Sequence, residues 1–189
     1  MQQTFDPEGI VCTALEALDG QPTPVRGALD DLPKAIYATN LDGLVTWYSK
    51  ARIDFAGRIP VANQDRWCVT WKLFTNDGRP LPHDQCPMAT AIREKRSVRG
   101  LTAIAERPDG RRVSFRPYPT PLFDAAGAFT GAVNLLVDIT AVQQRHHFLE
   151  QARRCRRLVG AVNDLQTIRS LERMAIEFEA KALALAGIA

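Results

Sequence analysis

Residues 101–140 read LTAIAERPDGRRVSFRPYPTPLFDAAGAFTGAVNLLVDIT, and their pattern decides the fold. Leu101, Ala103 and Ala105 alternate with Thr102, Ile104 and Glu106. Pro108-Asp109-Gly110 turns the chain, and Val113 and Phe115 then alternate with Arg112, Ser114 and Arg116 on the way to Leu122. Asp124-Ala125-Ala126-Gly127 turns it again, ahead of a third alternating run through Phe129, Gly131, Val133, Leu135 and Val137. Period-two alternation interrupted by short Gly- and Asp-containing turns predicts an antiparallel meander of three strands. Pro117, Pro119 and Pro121 remove three donors from one side of the middle strand. A strand paired on both sides does not normally tolerate that loss. This half is therefore expected to be bulged or to overhang a shorter preceding strand.

Upstream, Ala35-Ile36-Tyr37-Ala38-Thr39 and Leu44-Val45-Thr46-Trp47-Tyr48 flank the turn cluster Asn40-Leu41-Asp42-Gly43, the signature of a hairpin. Between hairpin and meander the pattern changes. Lys50 to Phe55 predicts a short helix, and Pro60, Asp77-Gly78, Pro80 and Pro82 punctuate loops and short helical pieces. Asp84 to Lys95 predicts the best helix of this stretch, with Asp84 as cap and Pro87 in the first turn. Met88, Ala91, Ile92 and Lys95 are expected on one face. Residues 1–30 read as an N-terminal extension with one short helix, Ile10 to Leu18, and with Asp30 or Asp31 capping a turn before Pro33.

From Thr140 the spacing is helical. Phe148, Ala152, Cys155, Val159 and Val162 form one stripe, and Leu171, Ala175, Phe178, Ala182 and Leu185 a second. Gly160 is expected to end the first helix and Asn163-Asp164-Leu165-Gln166 to cap the second. The first helix is basic and the second more acidic, so the two are expected to pack as an antiparallel hairpin or across a homodimer. The class is α+β in three parts: extension 1–30, a mixed strand-and-helix domain 31–140, and a helical segment 141–189 suited to dimerisation.

Composition narrows the function. An apolar share of 46% is that of a globular chain. No apolar run reaches the ~18 residues of a membrane span, and Met1 to Asp6 carries no secretory pattern, so a cytoplasmic protein is expected. Arg145, Arg153, Arg154, Arg156 and Arg157 crowd one helix. With no base-reading motif beside them they read as a solvated face, and nucleic acid is not expected as a partner. The four cysteines, Cys12, Cys68, Cys86 and Cys155, form no C-x-x-C pair. No nucleophile elbow, zincin motif or P-loop is present, and no enzymatic activity is expected.

The element order resembles the PAS family over residues 31–140. The likeness rests on Leu32-Pro33-Lys34-Ala35-Ile36-Tyr37-Ala38-Thr39 leading into Asp42-Gly43, on Arg107-Pro108-Asp109-Gly110, and on Gly131-Ala132-Val133-Asn134 running into Asp138-Ile139-Thr140. It implies a five-stranded antiparallel sheet with helices on one face, a pocket between them, and a coiled-coil-like C-terminal extension. Trp67-Cys68-Val69-Thr70-Trp71-Lys72-Leu73-Phe74 and the segment Asp77 to Met88 are similar to PAS modules of alphaproteobacterial histidine kinases. No phosphoacceptor helix or ATP-binding segment follows in this sequence. The resemblance implies a sensory or adaptor module that takes a small ligand or partner and relays to a separate signalling protein, such as a histidine kinase.

Candidate site residues follow. Tyr37, Trp47, Trp67, Trp71 and Phe115, with Met88 and Ile92 from the overlying helix, are the expected pocket lining. Asp138, Ile139 and Thr140 are the expected signal junction, with Asp138 or Thr140 capping the tail helix. Cys68, His83, Asp84 and Cys86 offer donors that zinc accepts, and His83 and Cys86 suggest a haem site, but the spacing favours packing and capping. No metal is assigned. A haem- or metal-binding sensor using His83 and Cys86 is the alternative. The cofactor is unknown, with none expected to be covalently bound, because no flavin-attachment motif surrounds any cysteine.

Overall fold

The computed structural model describes residues 6–10 and 34–186. Cys12, the remainder of the expected Ile10–Leu18 helix and the Asp30 and Asp31 turn lie outside the described residues. The chain divides into two compact units, Met1–Asp138 and Ile139–Ala189.

The first unit is built on one antiparallel sheet. Its strands are β1 (Ala35–Asn40), β2 (Val45–Tyr48), β3 (Lys72–Phe74), β4 (Ala103–Glu106), β5 (Arg112–Phe123) and β6 (Phe129–Asp138), in the order β2-β1-β6-β5-β4-β3. Five of these are the expected strands. The sixth, β3, is an addition: three residues at the sheet edge, paired with β4 through Leu73 and Ala105. Helices α1 (Lys50–Ala56) and α2 (Pro87–Glu94) supply the helical layer. Tyr37, Phe55, Cys68, Cys86, Met88, Ile92, Phe115 and Leu136 are buried together in the main core. Ile36, Val133 and Leu135 form a second cluster, packed by Trp47, Tyr118 and Val137. The residues of β6 thus alternate between the two clusters, as period two requires.

The proline-rich half of β5 is an overhang. β4 pairs only with Arg112 to Phe115, whereas β6 pairs with β5 from Phe115 to Phe123. Beyond β4, the Pro119 carbonyl accepts from the Val98 N–H at 3.2 Å and from Arg99 at 2.8 Å. The three missing donors face this irregular segment, where no ladder is lost. At the β1–β6 crossing Gly131 is obligatory: a Cβ there would lie 2.0 Å from the Thr39 carbonyl oxygen.

Two helix boundaries differ from expectation. α2 begins after Cys86, not Asp84, because His83–Gln85 forms a separate 3-10 turn. Lys95 leaves the apolar face by entering the left-handed region at φ 50° as the helix ends. The second unit consists of α3 (Thr140–Val159) and α4 (Leu165–Ala184), packed as a hairpin. Phe148 stacks on Phe178 with centroids 6.2 Å apart, and Arg156 grips the Glu179 carboxylate with both forks at 2.8–3.0 Å. Gly160 ends α3, and Asp164 caps α4 by accepting from the Thr167 N–H at 2.8 Å. No helix of the described residues is long and apolar enough to cross a membrane.

Candidate functional site: a cleft and a buried polar relay

Hydrogen bonding and packing between β1 and β2 assign the aromatic residues to faces. Tyr37 pairs with Tyr48, and Ala38 with Trp47. Tyr37 and Tyr48 therefore face the helical layer, while Trp47 falls on the opposite face beside Ile36. The seven residues expected to line one pocket separate into three groups. Tyr37, Met88, Ile92 and Phe115 are packed in the main core, with Phe115 edge-on to Phe55 at 5.5 Å. Trp67 and Trp71 line an open cleft of about 560 Å³, whose walls also include Arg58, Cys68, Thr70 and His83. Trp47 belongs to neither. Tyr48, one residue later, occupies the position expected of Trp47.

The cleft rim is conformationally unusual. Trp67 has φ 65°, a left-handed value uncommon for a bulky side chain. It is held there by its N–H to the Gly43 carbonyl at 2.7 Å and by the Cys68 N–H to the Arg66 carbonyl at 2.7 Å. Its ring lies so close to Gly43 that a Cβ at that position would meet ring carbons at 2.2 Å. Gly43 thus serves both its own turn, at φ 80°, and the placement of Trp67. Outside the rim, Trp71 is 52% exposed.

From this rim a polar chain runs into the sheet. The Tyr37 hydroxyl donates to the Trp67 carbonyl at 3.0 Å. The Asn134 amide donates to the Tyr37 oxygen at 3.1 Å. The Asn134 carbonyl oxygen accepts from the Tyr118 N–H at 3.0 Å. Burial, aided by the neighbouring thiols, pushes the Tyr37 hydroxyl well above its ordinary range, so the phenol remains a donor. Three strands and the cleft loop are thereby joined through two side chains, both nearly excluded from solvent.

Arg52 adds a buried cation. It is fully excluded from water, donates to the Val69 carbonyl at 2.9 Å, and lies over the rings of Tyr48 and Tyr37 at 5.2 and 5.7 Å. Its Nε and Nη1 have no hydrogen-bond partner. Burial lowers its pKa to about 10, which leaves it charged at neutral pH.

Cys68 and Cys86 come together beneath the cleft, from the loop ahead of β3 and from the N-cap of α2. The Cys68 sulfur lies 3.3 Å from the Thr70 hydroxyl. Cys86 points its thiol at the Trp67 carbonyl, 3.9 Å away. The two thiols share one core cluster, and each shifts the other's ionisation. The neighbouring Cys86 thiol chiefly, with His83 and Thr70, holds Cys68 below the ordinary thiol range against the cost of burial. Cys68 and burial in turn hold Cys86 up. No group of three His, Cys, Asp or Glu among the described residues is placed to hold a metal, so Cys68, His83, Asp84 and Cys86 do not form the alternative metal site. The His83 Nε2 is buried without a partner, and Asp84 lies in the 3-10 turn rather than capping α2.

At the junction, the N-cap of α3 is Ile139, whose carbonyl accepts from the Gln143 N–H at 2.9 Å. The expected cap role of Asp138 or Thr140 is corrected accordingly: Asp138 is the last residue of β6 and Thr140 already lies within α3. Sequence reasoning missed Asn134 and Arg52 as functional candidates. Asn134 shares parity with Ala132 and Leu136, a polar residue on the core face of β6. Arg52 lies three residues before Phe55, on the buried face of α1.

No family model matches the sequence, and no curated protein matches it. Solved structures do. The PAS domain of the fruit-fly ELK potassium channel superposes with a TM-score of 0.50 at 13% identity, covering 62% of this chain and 95% of that one. The PAS domain of a protein from Colwellia psychrerythraea is 20% identical over 60% of this chain and 92% of its own, with a TM-score of 0.43. A PAS domain of an HTR-like protein from Haloarcula marismortui is 14% identical, covering 61% and 95%, with a TM-score of 0.42. The sheet unit is an α+β domain with a single antiparallel sheet and a helical layer. It has the PAS fold.

Proposed function

We propose that this chain is a non-catalytic PAS sensory or adaptor module of signal transduction. Its cleft or its surface takes a small ligand or partner, and its tail reports to a separate signalling protein such as a histidine kinase. The observation that carries this reading is the buried relay from Trp67 through Tyr37 to Asn134. Asn134 lies on β6, and β6 ends at Asp138, two residues before α3 begins. A ligand that moves the Trp67 rim alters the hydrogen bonding of the strand that leads to the tail. Asp138, Ile139 and Thr140 are then the signal junction, set by the backbone bond from Ile139 to Gln143 rather than by a side-chain cap. The tail leaves Leu165, Ile176 and Leu183 exposed along one side of α4. That stripe suits a homodimer contact or a partner helix.

Ligand occupancy is tested by native mass spectrometry of freshly purified full-length protein, with small molecules identified after release. The expected result is a retained molecule lost in Trp71→Ala, with fold and stability unchanged. Relay to the tail is tested by Tyr37→Phe, which removes the hydroxyl between Trp67 and Asn134, read by amide exchange across residues 141–162. A folded variant with altered exchange supports the relay, and unchanged exchange removes it.

A further inference from the structure

One flank of α4 carries six residues at strict heptad spacing: Leu165, Arg169, Glu172, Ile176, Glu179 and Leu183. Steps of four and three keep them on one side of the helix. The seam with α3 runs along the neighbouring flank, at the buried Ala175 and Ala182. The three apolar members stand in solvent, Leu165 at 70%, Ile176 at 62% and Leu183 at 76% exposed. Charges of both signs separate them. Arg169 and Glu172 are exposed and have no ion pair among the described residues. Glu179 is gripped by Arg156, yet its Oε2 takes only one of the three bonds and can accept another donor. This pattern complements itself in one orientation. Set parallel and in register against a copy, the stripe stacks Arg169 on Arg169, Glu172 on Glu172 and Glu179 on Glu179, three layers of like charge. Set antiparallel about a two-fold axis level with Met174, it puts Leu165 opposite Leu183, Arg169 opposite Glu179 and Ile176 opposite Glu172. Each contact then occurs twice, as an isologous contact requires, and the helix dipoles oppose each other. Sliding by one heptad either way strands one leucine on each copy.

We propose that this stripe docks a second copy of the chain through an antiparallel α4–α4 contact, with Leu165 of each copy against Leu183 of the other. The proposal rests on the exposed tail of the sensory reading and replaces its choice of homodimer or partner helix with one occupant, one direction and one register. The leucines close both ends of the contact. The Arg169–Glu179 layers next to them fix the direction, because only the antiparallel arrangement pairs opposite charges there. The Ile176–Glu172 layers flank the axis. Arg156 ties the Glu179 carboxylate to α3, so the contact draws on the packed hairpin rather than on α4 alone.

The test uses the full chain. Sedimentation velocity at tens of micromolar is expected to show a dimer. Full-length Leu165→Cys and Leu183→Cys chains, mixed and mildly oxidised, should form a disulfide between copies from position 165 to position 183, read by peptide mapping. Neither chain oxidised alone should join like position to like. Arg169→Glu puts like charges in both Arg–Glu layers and should weaken the dimer at least ~10-fold. Glu179→Arg should weaken it as well. An equimolar mixture of these two variants should regain the dimer, because each layer then pairs Glu with Arg. A monomeric wild-type chain at these concentrations would overturn the proposal, and so would cross-links between like positions, which mark a parallel pair. A mixture no stronger than either charge variant, with both variants folded by circular dichroism, would overturn the register. Wild-type sedimentation and the cysteine map decide the matter even where a charge variant fails to fold. A monomer that still retains a small molecule in its cleft would remove the dimer and leave the sensory reading standing.

Discussion

The two units bury their residues in opposite ways. In β6, six of ten residues are buried, including the polar Asn134. In the twenty-residue helices α3 and α4, only Ala152, Cys155, Ala175 and Ala182 are buried. The sheet unit closes its own core on both faces. The hairpin has a narrow seam of small residues, one aromatic stack and one Arg–carboxylate fork, with large apolar side chains left outside. Isolated helices of this length are marginal, so a unit with so thin a seam is expected to be the less stable of the two.

Breaking the sheet should have the larger effect. Gly131→Val places a side chain against the Thr39 backbone and is expected to prevent the sheet unit from folding, a cost above ~4 kcal/mol. Loss of the tryptophan near-UV signal is the readout. Phe115→Ala opens a cavity beside Phe55 and should cost ~3–5 kcal/mol by denaturant unfolding. Phe148→Ala in the hairpin removes a half-buried stack and should cost nearer ~1 kcal/mol. Equal losses at the two positions would show that the hairpin is as tightly built as the sheet.

Smaller effects sharpen the contrast from the other side. Gly160 has φ −72° and nothing closer than 3.7 Å to an added Cβ. Gly160→Ala should therefore stabilise the hairpin, by ~0.4–1 kcal/mol, through the unfolded chain. Acid should act on the hairpin through two carboxylates. Hydrogen bonds from Thr167 hold Asp164 below its ordinary range, and Arg156 does the same for Glu179. Groups with depressed folded-state values stabilise fully above their unfolded pKa values, ~3.9 and ~4.3, and lose that contribution as pH falls through the folded ones. Helicity of the tail should fall in that window, and Asp164→Asn should shrink the Asp164 part while keeping the cap. Helicity that is flat from neutral pH to below both values would contradict these assignments.

The parts legible in the sequence are those with a long period. The meander, the hairpin around Asp42-Gly43 and both tail helices follow from alternation or helical spacing, and the proline overhang follows from counting donors. β3 was not legible. Three residues ahead of Asn76-Asp77-Gly78 carry no period, and pairing with β4 alone makes them a strand. The start of α2 is hidden because Asp84 is a good cap by type, yet the 3-10 turn delays the helix to Pro87. For the aromatic residues, type alone does not give the face; strand parity does. Parity would have replaced Trp47 with Tyr48 and flagged Asn134. Cys68 and Cys86 enter one core cluster because a loop crosses to a helix terminus, which no local pattern encodes.

We propose that the buried relay couples the cleft to the strand leading into the tail. Tyr37→Phe removes one hydroxyl, the link between Trp67 and Asn134, and leaves the packing volume of the core nearly unchanged. Amide hydrogen exchange across residues 141–162 in this variant, compared with the wild-type chain at equal global stability, measures the coupling directly. The account predicts a several-fold change in exchange within the first turns of α3. Exchange identical to wild type there, in a folded variant, would contradict it.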